Sequence, residues 1–139
     1  MNRVQALLIV ALLAVAYYFG MFYGVGLSVH IPWPWLPYTG KSVATINALE
    51  MMTYAIIVTI VSTIIAIAVA WRFPRRAFIV GLLVALPAAI DLVVSAAQAS
   101  HDMPLGGRTA MMMTVSLVLL LLVPALLSTL FARRRLATA

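Results

Sequence analysis

Four stretches of this chain stay apolar for twenty residues or more, and no other feature of the sequence limits its fold as tightly. They run approximately from Val4 to Leu27, Met51 to Trp71, Ala77 to Ala99 and Thr109 to Phe131. A hydrocarbon core of roughly 30 Å needs about 20 helical residues at about 1.5 Å per residue, so each stretch is long enough to cross a bilayer. None shows the sustained alternation of a barrel strand. The segment from Ser28 to Glu50 is polar and proline-rich, too broken for a fifth crossing. Composition agrees: 65% of the 139 residues are hydrophobic and 9% are charged. A soluble domain needs about a quarter charged residues to cover its surface. The expectation is an all-α integral membrane protein, a single domain over residues 1–139 built as an antiparallel bundle of four transmembrane helices.

The first stretch has the outline of a secretory signal, with Arg3 ahead of an apolar run and Ala14-Val15-Ala16 as a cleavage-like site. The run continues through Tyr17 and Phe22 to Leu27, so it reads as a retained helix.

Nine Lys and Arg against three Asp and Glu leave a net charge of +6, yet the basic residues sit only between or beyond the apolar runs. Nucleic acid is therefore not the implied partner; the charge reports orientation in the lipid bilayer. Arg3, Arg72, Arg75, Arg76, Arg133, Arg134 and Arg135 share one side, and Lys41 and Arg108 the other. That bias puts both termini in the cytoplasm and suits a bacterial inner membrane. The Arg72-Phe73-Pro74-Arg75-Arg76 linker reads as a tight turn joining spans two and three as a hairpin.

On the outer side, His30, Trp33, Trp35 and Tyr38 are interleaved with Pro32, Pro34 and Pro37. Prolines at this spacing forbid a helix. The aromatic rings suit the headgroup layer, either as an interfacial anchor or as a lid over the bundle mouth.

Asp91 is the one ionisable acid or base well inside a span, about 22 Å along its helix from Arg76. A bare carboxylate there costs a few kcal/mol, so it is expected to face the bundle interior and to be protonated, cation-bound or paired with a base from another subunit. Ala88, Asp91, Ser95, Gln98 and Asp102 follow a three-four spacing that puts them on one helical face. Depth counting brings Tyr17, Tyr18, Thr59 and Ser62 near the same level, with Thr63 and Ser116 nearby. These groups make either an ion pathway or a layer of interhelical hydrogen bonds.

Ala16, Gly20, Gly24 and Ser28 recur at every fourth position, a small-residue ridge that lets another backbone approach closely. Ser62, Ala66 and Ala70 form a similar stripe on the second helix. Either can pack inside the bundle or against another chain, and a homo-oligomer or a larger membrane-protein partner is expected.

Cysteine is absent, which removes disulfides and thiolate sites. His30, His101 and Met103 with several other methionines lie near the outer boundary, and thioether with imidazole would suit copper. Three consecutive methionines point three ways on a helix, however, and packing is their commoner use. Haem would want histidines within the spans. No GxSxG, phosphate loop or HExxH is present, and no second intramembrane aspartate accompanies Asp91. The leading reading is a small non-enzymatic inner-membrane protein that acts by helix association, as an accessory or regulatory subunit or as a self-assembled bundle. The alternative is a compact oligomeric transporter or channel that uses Asp91 for a proton or cation; an outer-face copper or haem protein comes third.

Overall fold

A computed structural model describes residues 2–28, 30–102 and 106–138. Helix α1 (Arg3–Ser28) starts where Asn2 and Gln5 cap each other. The Gln5 N–H donates to Asn2 Oδ1 at 2.8 Å and the Asn2 N–H to Gln5 Oε1 at 3.3 Å, which satisfies two donors of the first turn. Helix α2 (Val43–Arg72) begins well before Met51, because Ser42 Oγ accepts the Thr45 N–H at 3.2 Å. The connection between α1 and α2 is correspondingly shorter than the expected loop from Ser28 to Glu50.

Phe73 ends α2 by donating its N–H to the Val69 carbonyl at 2.7 Å, and Pro74 then opens a 3-10 turn, Pro74–Arg76, that runs into α3 (Ala77–Asp102). Proline is suited to that first position, where its missing N–H costs nothing. Helix α4 (Gly107–Ala137) continues past Phe131 and carries Arg133, Arg134 and Arg135 on helical backbone. The Arg135 guanidinium donates to the Trp71 carbonyl and lies 4.6 Å from the centre of the Trp71 ring. The protein is thus all-helical, with four helices long and apolar enough to span a membrane.

Among the described residues, α4 packs broadly against both α2 and α3, while α1 packs against α2 and α3 on the other side. Helices α2 and α3 meet only sparsely, although just a few residues join them. The expected hairpin of spans two and three is therefore a diagonal pair. Phe73 and the 3-10 turn Pro74–Arg76 make the crossing, and the turn packs against α4 on the way.

The centre of the bundle is organised by Pro124. It lies fully buried within α4 and, having no N–H, leaves the carbonyl of Leu120 one turn earlier without its helical donor. Tyr17, also wholly buried, reaches across from α1 and donates its hydroxyl to the Leu120 oxygen at 3.1 Å. That uses the only proton on the Tyr17 oxygen, so the 3.4 Å contact with Ser62 Oγ is donated by Ser62. Three helices are thereby fastened at one freed acceptor.

Helix α3 joins at the same level. Ala77, Gly81, Ala85 and Ala89 recur at every fourth position and are all buried. A Cβ added to Gly81 would stand 2.7 Å from Ala125 Cα and 3.0 Å from the Pro124 oxygen, so the backbones of α3 and α4 are in direct contact there. Such contact matters in lipid, where packing replaces the hydrophobic effect as the force between helices.

Two outcomes test this centre. Tyr17→Phe should lower thermal stability in detergent by about 0.5–2 kcal/mol, the scale of an interhelical hydrogen bond in a membrane. Pro124→Ala restores the N–H that Leu120 lacks, so the same Tyr17→Phe change should cost clearly less in that background; strictly additive losses would contradict the assignment. Gly81→Ala should destabilise by about 1–3 kcal/mol, because the group it strikes is backbone and cannot rotate away.

Candidate functional site

The polar residues of the spans divide into two sets. Thr59, Thr63, Thr114 and Thr129 each donate to the carbonyl four residues earlier, at 2.7 to 2.9 Å, which satisfies them within their own helices. Ser62 belongs to the Tyr17 and Leu120 cluster. Ser116 meets Met51 Sδ at 3.9 Å. Ser128 Oγ is the one buried side-chain polar atom among the described residues that has no partner.

Asp91 stands outside all of this. Its side chain is exposed on α3, together with Ser95 and Gln98, whereas Ala88 on the preceding turn is buried. It does not join Tyr17, although the two were expected at one depth. Counting residues fixes height in the bundle but not direction around the helix, and successive residues differ by about 100°. Tyr17 turns inward to Leu120, while Tyr18, half-buried, lines the same lateral grooves as Asp91. One groove, of about 620 Å³, opens between α1 and α3 and reaches inward to Tyr54 on α2 and Leu120 on α4. His30 lines it beyond the end of α1, and its lining contains no Lys or Arg. A smaller groove is lined by Asp91 together with Pro87 and Leu83, one and two turns earlier on α3. Pro87 removes the N–H that would bond the Leu83 carbonyl, so this exposed face is rich in acceptors.

The loop ahead of α2 is fastened to the bundle. Trp33 and Trp35 stack with ring centres 5.1 Å apart. Trp33 Nε1 donates to the Ser28 carbonyl at 2.8 Å, and Trp35 Nε1 to Thr53 Oγ1 at 3.2 Å. The Lys41 ammonium donates to the carbonyls of Trp35 and Pro37. Beneath lies a cavity of about 500 Å³ that Trp33, Tyr38, Glu50, Tyr54 and Ser116 help to line. Glu50 is exposed, as is His30. Tyr54 and Val25 line this cavity and the lateral groove alike, so the two spaces adjoin. The wide apolar environment of Tyr54 gave the sequence no polar signal to mark it.

The small residues of α1 pack within the chain. A Cβ on Gly20 would meet Val61 Cγ1 at 2.9 Å, and one on Gly24 would meet Ile57 Cγ2 at 2.9 Å, both on α2. Ser28 is buried and donates to the Val25 carbonyl at 2.6 Å, while Ala16 is exposed. Ser62, Ala66 and Ala70 are likewise buried. These stripes therefore hold the bundle itself.

Of the metal candidates, Met103 and the side chain of His101 lie outside what the structure describes. Among the described residues no group of three His, Cys, Asp or Glu could hold a metal ion. No family model, curated protein or solved structure matches the chain.

Because both glycines face α2, Gly20→Leu or Gly24→Leu should lower the unfolding temperature of the isolated protein itself. A variant that keeps its stability and loses only self-association would place the ridge on an outer face instead.

Proposed function

We propose that the chain is a small non-enzymatic membrane protein that acts by helix association, its α1 and α3 face receiving a transmembrane segment that carries a donor or basic side chain to Asp91. In this reading the helices form an antiparallel bundle in a bacterial inner membrane with both termini cytoplasmic. Support for that orientation comes from the seven arginines assigned to one side and from the pairing of Gly20 with Val61 and Gly24 with Ile57, which runs in opposite senses along α1 and α2.

The exposure of Asp91 carries the proposal. An unpaired carboxylate at that depth costs a few kcal/mol, more than a typical interhelical hydrogen bond returns, so a chain that retains one on an outward face favours a companion that covers it. The companion is a larger protein served as an accessory or regulatory subunit, or further copies of this chain. The freed Leu83 carbonyl beside Pro87 adds a second acceptor on the same face. With the α1 ridge occupied by α2, this acceptor-rich face is where a further helix gains most.

A second reading, a proton- or cation-linked transporter or channel, draws on the adjoining outer cavity and lateral groove, which meet at Val25 and Tyr54. Asp91 substitutions separate the two. Asp91→Leu should leave the isolated bundle at least as stable as the parent, since the side chain makes no internal contact that stabilises it, and should abolish assembly seen by cross-linking in native membranes. Assembly that persists unchanged rejects association through Asp91. Loss of flux in liposomes by Asp91→Asn, with assembly intact, would favour transport.

A further inference from the structure

The arginines at the far end of the bundle hold a feature that orientation alone does not require. The 3-10 turn packs against α4, and this brings Arg75 and Arg76 together with Arg133 around one cavity of about 530 Å³. Thr129 contributes to the wall, as do the apolar side chains of Phe78, Ile79 and Leu136. Three arginines that line one cavity concentrate positive charge there and favour an anion within it.

Among the described residues, no carboxylate lines this cavity. Of the protein's three acids, Asp91 is nearest along the fold, about 22 Å from Arg76 along α3. Glu50 lies about 33 Å from Arg72 along α2, and Asp102 ends α3. Each stands about two Debye lengths or more from the arginines of the cavity, a Debye length being about 8–10 Å at ordinary ionic strength. Arg135, by contrast, is already engaged with the carbonyl and ring of Trp71. Arg75, Arg76 and Arg133 are exposed and line the cavity with planar donors that match the geometry of a phosphate.

We propose that this cavity binds the phosphodiester headgroup of an anionic phospholipid, with Arg75, Arg76 and Arg133 on the phosphate and Phe78, Ile79 and Leu136 against the upper acyl chains. The apolar wall is what selects a lipid over a free anion, because it lies on helices long and apolar enough to be embedded in the bilayer. Basic pockets between helix ends suit such headgroups in general. The site is independent of any partner at Asp91.

The test uses the full chain, delipidated in a neutral maltoside detergent, with lipid binding read by native mass spectrometry and by thermal stability. Dioleoylphosphatidylglycerol should bind about tenfold more tightly than dioleoylphosphatidylcholine. The triple variant Arg75→Gln, Arg76→Gln, Arg133→Gln should lose that preference. A charge-matched control, Arg3→Gln, Arg72→Gln, Arg134→Gln, removes three arginines that do not line the cavity and should keep it. If the first triple variant fails to fold, Arg133→Gln alone should still weaken phosphatidylglycerol about threefold. Equal loss in both triple variants would mean a diffuse charge effect and overturn the site. Equal binding of the two lipids would overturn it as well, and so would displacement of phosphatidylglycerol by millimolar inorganic phosphate, which would make it a free-anion site.

Discussion

Hydrocarbon offers no hydrogen bonds, so every polar group that enters it must find a partner inside the protein, and this requirement shapes the bundle from its centre outward. The sharpest instance is the Leu120 carbonyl, released by Pro124 and recovered by the Tyr17 hydroxyl from another helix. Ser62 completes the cluster by donating to Tyr17, and Gly81 brings the α3 backbone against the same turn of α4. A proline that would weaken an isolated helix thus becomes the point where all four helices are tied. The threonines solve the same problem locally by bonding their own backbone, which explains why so many can be carried at little cost.

Against this economy Asp91 is the exception. Among the described residues Ser128 Oγ is the one fully buried side-chain polar atom without a partner, while the Asp91 carboxyl is exposed beside a groove without Lys or Arg. Physical cost and placement together are the grounds on which we propose it as the mark of a working surface. The two ends of the molecule differ in kind. At one, stacked tryptophans and Lys41 lock a proline-rich loop over an aromatic cavity; at the other, arginines gather around a cavity that no carboxylate among the described residues lines.

Much of the architecture is legible in the sequence, and the limits of that legibility are physical. Hydropathy marks where α1, α2, α3 and α4 lie, since a span must exceed a fixed length of apolar residues. Caps refine this: Ser42 with Thr45 starts α2 early, and the absence of any break after Phe131 lets α4 run on through its arginines. What a linear reading lacks is azimuth. The ridge Ala77, Gly81, Ala85 and Ala89 is as regular as Ala16, Gly20, Gly24 and Ser28, and nothing local decides which neighbour each will meet. Tyr17 and Tyr18 are adjacent in sequence and nearly level in depth, yet one enters the core and the other lines a groove. The Pro124 and Leu120 relation could be read from spacing alone, but the donor that answers it sits 103 residues away. Asp91 was expected to turn inward because its charge is costly; packing of Ala85, Ala88 and Ala89 instead commits the small face of α3 to the core and leaves Asp91 at its margin, exposed along the lateral groove.

The most direct measurement probes whether that outward face is covered where the protein works. The chain has no cysteine, so Ser95→Cys supplies a single spin-label site one turn from Asp91 without disturbing the carboxyl. Collision with dissolved oxygen, read by electron paramagnetic resonance, should be low at this position in native membranes and high in dilute nanodiscs that hold one copy of the purified chain. Equally high collision rates in both would show the Asp91 face open to lipid in its working state and would contradict the assignment.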